Sequence, residues 1–161
     1  MARSAVIVQI TFVRTEDGDR DMLDDMHDRC SAIEECYEFM LAYAAQGLRS
    51  GDGSTFCDQV RELLQRAAHA LDGLAESCRT TVEELCLEPA ERYQPFLVVL
   101  DRDARNSLAA IELVMVQPNI SSQLIDNLNA SIHLRALLTS LFLVDEIFKS
   151  ARTPAESVEA G

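Results

Sequence analysis

The amino-acid sequence predicts an all-α protein, an antiparallel four-helix bundle with a short extended N-terminal arm. Apolar residues recur at alternating spacings of three and four along most of the chain, and only 6 glycines and 4 prolines interrupt it. Because each apolar stripe must be covered by another stripe, four amphipathic helices joined by short turns favour this bundle. We expect an extended arm at 1–15, one bundle domain at 16–150 and a flexible tail at 151–161.

The first segment, from Ala5 to Val13, is rich in β-branched residues and too short to favour a helix. It is therefore predicted to be an extended strand or arm. A single strand leaves its backbone groups unpaired, so this arm should pair with another copy of the chain or lie in a groove of the bundle.

The first two predicted helices carry the longest apolar stripes. Helix one runs from Asp19 to about Gln46, and its stripe comprises Leu23, Met26, Cys30, Ile33, Tyr37, Met40 and Ala44. Helix two begins at a Ser54 or Thr55 cap and continues without a break until Pro89 prevents a further turn. Its stripe comprises Cys57, Val60, Leu64, Ala67, Leu71, Leu74, Cys78, Val82 and Leu85.

The third and fourth predicted helices follow the prolines of the second half. Helix three starts after Pro89 and Pro95, which are acceptable at the start of a helix, and its stripe comprises Leu97, Leu100, Ala104, Leu108, Ile111 and Met115. Helix four starts at Ser121 or Ser122 and continues to Phe148 as one helix. Its stripe comprises Leu124, Leu128, Ile132, Leu138, Leu141, Val144 and Phe148.

The charge excludes two classes of partner. The chain has 27 acidic and 14 basic residues, a formal net charge of −13, which repels phosphate backbones and anionic lipid head groups. Nucleic acid and membrane surfaces are therefore not expected as partners. No stretch reaches the roughly 18 uninterrupted apolar residues of a membrane span. The 5 cysteines, an odd number without a secretory leader, favour the cytoplasm, and the excess of arginine over lysine favours a bacterial origin.

Most of the negative charge lies on helix one, where residues 16–38 include ten acidic side chains and two arginines. A face of this kind favours docking of a basic protein partner. The alternative is a metal site formed by Asp24 and His27 with Glu34 or Glu38. The three histidines do not form the Glu-x-x-His pairs of a di-metal bundle, and no two cysteines have zinc-ligand spacing. No cofactor is therefore expected.

One local string suggests a signalling role. The sequence Ala-Ala-His-Ala-Leu-Asp-Gly at 67–73 resembles the active helix of histidine-phosphotransfer domains, which are four-helix bundles with an exposed histidine before a leucine and a glycine. The resemblance implies that His69 accepts a phosphoryl group and that Gly73 makes room for the incoming domain. Asp72 stands where that family usually has a lysine.

The chain shows no nucleophile elbow, no phosphate-cradling glycine-rich loop and no Cys-His pair at a catalytic spacing. We therefore interpret it as a non-enzymatic, acidic protein-interaction module, an adaptor or chaperone-like protein. Heptad spacing along helices one and two also suits a homodimer. The phosphotransfer and metal-binding hypotheses are the alternatives.

Overall fold

The computed structural model describes the backbone of residues 16–47 and 54–152, and the side chains of residues 25–47 and 56–152. These residues form six α-helices and one short 3-10 turn, with no strand among them, so the all-α prediction is confirmed. The helices are α1 (Glu16–Ala45), α2 (Ser54–Leu71), α3 (Leu74–Glu84), α4 (Tyr93–Met115), α5 (Ser122–Asn129) and α6 (Ile132–Arg152), and the 3-10 turn is Ala90–Arg92. The predicted arm at 1–15 and residues 153–161 of the predicted tail lie outside the described residues.

All six helices contribute to one apolar core. The predicted stripe of helix two lines this core, since Leu64, Leu71 and Leu74 are all buried. Along α1 the fully buried residues include Cys36 and Tyr43, whereas the predicted Tyr37 and Ala44 are half-buried. The buried residues of α1 still recur at spacings of three and four, so the stripe is displaced by one residue at these two positions.

The single long helix predicted from the capped turn to Pro89 is wrong. The chain leaves the helix after Leu71 and starts α3 at Leu74, with Gly73 between them at φ +75°. A left-handed backbone at that point ends one helix and begins another, and glycine adopts it without a steric penalty. The Arg29 side chain of α1 donates to the carbonyls of Ala70 and Asp72, so carbonyls at the end of α2 are bonded despite the break.

Substituting Gly73 by alanine should therefore destabilise the protein by about 1 kcal/mol, the order of the cost of placing an L-residue in the left-handed region. An added Cβ would meet no atom within 4 Å, so the whole effect comes from the backbone. Urea unfolding monitored by circular dichroism measures the loss. Gly73→Asn is the control and should lose less, because asparagine tolerates this conformation better. Equal stability of the alanine variant and the wild type would contradict the assignment.

The predicted fourth helix is also divided. Ser121 caps α5 by accepting from the backbone amide of Leu124, as the sequence suggested, but α5 ends at Asn129 and α6 starts at Ile132. The break changes the phase of the apolar stripe, and Ile132, expected in the core, is 74% exposed. No described helix, α6 included, is long and apolar enough to cross a membrane.

Two antiparallel contacts orient the helices. Arg29 of α1 donates to the carbonyl of Asp72 just before α3, and Asp25, one turn earlier in α1, accepts from Ser77 of α3, so earlier residues of α1 lie beside later residues of α3. Phe96 at the start of α4 and Leu143 toward the end of α6 line the same depression. Farther along α4, Asp103 lies 3.5 Å from His133 near the start of α6. The two helices are therefore antiparallel. The start of α1, the end of α3, the start of α4 and the end of α6 consequently lie at the same end of the molecule.

Candidate interaction surface

The structure places the three residues of the phosphotransfer hypothesis around the link between α2 and α3. His69 is exposed in the last turn of α2, while exposed Asp72 and Gly73 lie beyond the end of that helix. The string therefore does not continue along one helix. The positive φ of Gly73 supplies a backbone reason for glycine at this position.

The structure gives the metal hypothesis no assembled ligand set. His27 and Glu38 are exposed on α1, Glu34 is half-buried there, and the side chain of Asp24 lies outside the described residues. Among the side chains that the structure describes, no group of three or more histidines, cysteines or acidic residues could hold a metal ion.

Part of the charge on α1 is neutralised within the molecule. Glu35 forms a 2.8 Å ion pair with Arg66 of α2, and Asp25 binds both Arg29 and Ser77. Burial raises the pKa of Asp25, but the hydrogen bonds from Ser77 and Arg29 and the positive charge of Arg29 outweigh it, so the pKa lies below its ordinary value. These two carboxylates therefore serve internal contacts, and the acidic face is smaller than the sequence suggested.

The apolar side chains that reach the surface are concentrated on two helices. Nine large apolar side chains of the described residues are exposed, and seven of them belong to α4, to its C-cap residue or to α6. Those seven are Val98, Val99, Leu113, Val116, Ile132, Phe142 and Leu143. Large exposed apolar side chains that cluster on one side are typical of protein-binding surfaces.

One side of α4 carries exposed apolar side chains near both of its ends. We call this side, which comprises Val98, Arg102, Glu112, Leu113 and Val116, the outer face. Val98 and Val116 are 70% and 73% exposed and, being eighteen residues apart, lie on the same side of the helix. Leu113, 65% exposed, lies one turn before Val116. Exposed Arg102 and Glu112 stand between the two apolar ends. The outer face thus has an apolar contact at each end and charges of opposite sign between them.

A separate apolar depression, the end groove, lies between the start of α4 and the end of α6. It has a volume of about 250 Å³. Its lining comprises Pro89, Arg92, Tyr93, Phe96, Leu143, Val144 and Ile147. Leu143 is 56% exposed, so within the described residues the groove is open to solvent.

A larger depression of about 540 Å³ lies between α3 and α4 and has a mixed character. Asp72 and Gly73 form part of its wall, and two ion pairs, Glu76 with Arg79 at 3.4 Å and Asp101 with Arg105 at 2.9 Å, lie on it. These ion pairs balance part of the charge of the wall, but the buried Nε of Arg79 has no hydrogen-bond partner among the described residues.

Sequence reasoning missed one polar contact. The Asp103 carboxylate is buried on α4, with Nδ1 of His133 on α6 at 3.5 Å, and Asn106 lies 3.4 Å from the same nitrogen. The three residues join α4 to α6. The sequence contained one indication of this contact. Asp103 stands next to Ala104 of the predicted buried stripe, and an acidic side chain close to the core requires a polar partner.

The five cysteines lie within the described residues and form no disulfide. Burial raises the pKa of the thiols of Cys30, Cys36 and Cys78 to about 12, whereas Cys57 is half-buried and Cys86 is exposed. Because the thiolate is the reactive form, the three buried thiols should be inert.

A short pulse of iodoacetamide should consequently alkylate Cys86 first and Cys57 more slowly, leaving the other three thiols unmodified until the protein unfolds. Mass spectrometry of the digested protein measures the order. The matched control is the same pulse in denaturant, which should modify all five. Rapid labelling of Cys30, Cys36 or Cys78 in the native protein would contradict the burial of these thiols.

Comparison with protein-family models, with curated proteins and with solved structures found no match to this chain. No family membership is therefore shown, and a proposal of function rests on the exposed surfaces alone.

Proposed function

We propose that the protein is a non-enzymatic protein-interaction module that self-associates through the outer face of α4. The observation that supports this proposal is the exposure of Val98, Leu113 and Val116 on one helix, with Arg102 and Glu112 between them. Removing such side chains from water stabilises an interface by about 25 cal/mol per Å² of apolar surface, which favours covering them.

The order of residues on α4 favours a second copy of the chain as the partner. If two α4 helices pair antiparallel about a two-fold axis, Val98 of each copy comes level with Val116 of the other. Arg102 then comes level with Glu112, so opposite charges face each other twice across the interface. In the same register Leu113 comes level with Asp101, so the valine pairs and the two Arg102–Glu112 pairs are the matched contacts that suit a homodimer.

We extend the proposal to the architecture of the helices. If α2 with α3, and α5 with α6, each act as one interrupted rod, the six helices form the antiparallel four-helix bundle that the sequence predicted. The packing of α3 on both α1 and α4, and of α6 on α4, supports this arrangement. The five thiols outside disulfides suit a reducing compartment such as the cytoplasm.

The partner of the dimer would be a basic protein. Asp28 and Glu38 are exposed on α1 and are free of the internal ion pairs that hold Asp25 and Glu35. Such an interaction would weaken at high salt, because exposed charges are screened beyond about 10 Å at 0.1 M ionic strength.

Sedimentation equilibrium of the full chain tests self-association. The wild type should sediment at twice the chain mass, and Val98→Glu with Val116→Glu should sediment at the chain mass. Leu41→Glu, which changes an exposed leucine on α1, is the matched control and should remain dimeric. Arg102→Glu should weaken the dimer, and the double variant Arg102→Glu with Glu112→Arg should restore it. A monomeric wild type, or a dimer that survives the double valine substitution, would overturn the proposal.

A phosphotransfer role for His69 is the second candidate function, and the exposure of this side chain is the observation that favours it. A phosphoryl acceptor must be reached by a second domain, and His69 faces solvent at the end of α2. Incubation with a phosphorylated response-regulator domain should then give an acid-labile phosphate on the wild type and none on His69→Gln. Equal labelling of both proteins, or of neither, would exclude this function.

A further inference from the structure

We infer that the depression between α3 and α4, which we call the mixed depression, binds a short peptide with free ends and an apolar side chain. The amino end of the peptide pairs with Asp72 and its carboxylate end with Arg79. The inference is independent of the proposed dimer, since of the residues that line the mixed depression only Val98 also belongs to the outer face. It rests on the size and floor of the depression and on two charges in its wall.

The mixed depression has the size and the floor of a ligand site. Its volume of about 540 Å³ lies within the range of about 300–1,000 Å³ that is typical of small-molecule sites. Buried Leu71, Leu97 and Ala104 line it together with half-buried Leu108. An apolar side chain that packs on this floor is removed from water, which stabilises the complex.

Arg79 supplies the positive charge. Its Nε lies 3.4 Å from the carboxylate of Glu76, yet this buried nitrogen has no hydrogen-bond partner among the described residues. The side chain of Glu76 is 72% exposed and that of Arg79 is 41% exposed, so solvent weakens their ion pair. A peptide carboxylate can therefore bind the exposed part of this guanidinium without the loss of a strong contact.

Asp72 supplies the negative charge. Its exposed side chain forms no ion pair or hydrogen bond with another described residue. Arg29 bonds the backbone carbonyl of Asp72, and its ion pair is with Asp25. Asp101 and Arg105, two other charged residues of the wall, bond each other at 2.9 Å. The Asp72 carboxylate is thus available to the ammonium group of a ligand.

The separation of the two charges selects the length of the ligand. Arg79 stands six residues after Gly73, which is a rise of about 9 Å along α3. An extended tripeptide spans about 10 Å, whereas the two charges of a free amino acid share one Cα and cannot reach both ends. The wall contains three carboxylates and two guanidinium groups, so a ligand with negative charge alone is disfavoured.

Equilibrium dialysis of the full chain against the tripeptide Ala-Leu-Ala tests the inference. The wild type should bind this peptide, and N-acetylation or C-amidation should each weaken binding about tenfold, because each removes a hydrogen bond between charged groups. Ala-Ser-Ala should also bind more weakly, because it lacks the side chain that packs on the apolar floor. No binding of Ala-Leu-Ala at about 1 mM, or equal binding of the free and the blocked peptides, would overturn the inference.

Two variants assign the ends of the peptide. Asp72→Asn should bind the free and the N-acetylated peptide equally and still prefer the free carboxylate, whereas Arg79→Met should show the opposite preference. Asp126→Asn on α5 and Arg135→Met on α6, both exposed and outside the mixed depression, are the matched controls and should bind like the wild type. Either test variant keeping both preferences would contradict the assignment. Dialysis measures bound peptide whatever the mass of the protein, so failure of the proposed dimer leaves this test unaffected.

Discussion

Leu64→Ala should lower the free energy of unfolding by about 2–5 kcal/mol, the largest loss expected from any single substitution considered for this protein. Leu64 lies in the middle of α2 and exposes none of its surface, so truncation removes apolar contacts and leaves a cavity among the other core residues. Alanine is a good helix former, and the helix itself should persist. Urea unfolding followed by circular dichroism measures the loss.

Leu41→Ala is the matched control for this prediction. Leu41 also lies within a helix, but 48% of its surface is exposed, so the substitution should change stability by no more than about 0.5 kcal/mol. The comparison separates burial from helix propensity, since both variants exchange leucine for alanine in a helix. Similar losses at the two positions would contradict the placement of the core.

Arg61→Met should have the second largest effect, a loss of about 2–4 kcal/mol of unfolding free energy, because hydrogen bonds from a charged donor contribute most among hydrogen bonds. The guanidinium of Arg61 on α2 donates to the carbonyl oxygen of Met115, the last residue of α4, and to those of Gln117 and Pro118 just beyond the helix. The carbonyl of Met115 has no partner within α4, and the helix dipole makes that end negative. Methionine retains the apolar stem and removes only the charge and the donors.

Two further variants show whether the geometry of the guanidinium matters. Arg61→Lys keeps the charge, but its single ammonium group cannot bond three carbonyls in the fixed arrangement of a guanidinium, so its stability should fall between those of the wild type and Arg61→Met. Arg135→Met, at an exposed position on α6, is the control and should change little. Hydrogen exchange of the last amides of α4 should accelerate in Arg61→Met. Wild-type stability of the methionine variant would exclude this capping role.

The core was the part of the fold that apolar spacing predicted best. Leu64, Leu71 and Leu74 are buried as the stripe required, and Leu71 and Leu74 remain in phase although the helix ends between them. Because the apolar stripe continues in phase from Leu71 to Leu74, the sequence did not predict the break between α2 and α3. The Asp72-Gly73 pair is a turn signal, but a stripe that continues across it favours one helix.

The candidate surfaces were less predictable. Val98, Leu113 and Val116 lie outside the predicted stripe of the third helix. Their spacing alone could therefore have predicted that these apolar side chains are exposed. The end groove combines Phe96 with Leu143, which are far apart in the chain, so no local pattern shows it. The contact between Asp103 of α4 and His133 of α6 also joins residues that are far apart in the chain, so no local pattern predicts it.

The sequence by itself determined which side chains avoid water, because the period of an α-helix converts residue spacing directly into a buried face. The tertiary structure decided where the helices end and which polar groups close them. Arg29 and Arg61 satisfy carbonyls more than 40 residues away in the chain, and a hydrogen bond of that kind depends on helix packing rather than on neighbouring residues. Local spacing specifies burial, whereas long-range contacts specify the breaks and the surfaces that remain exposed.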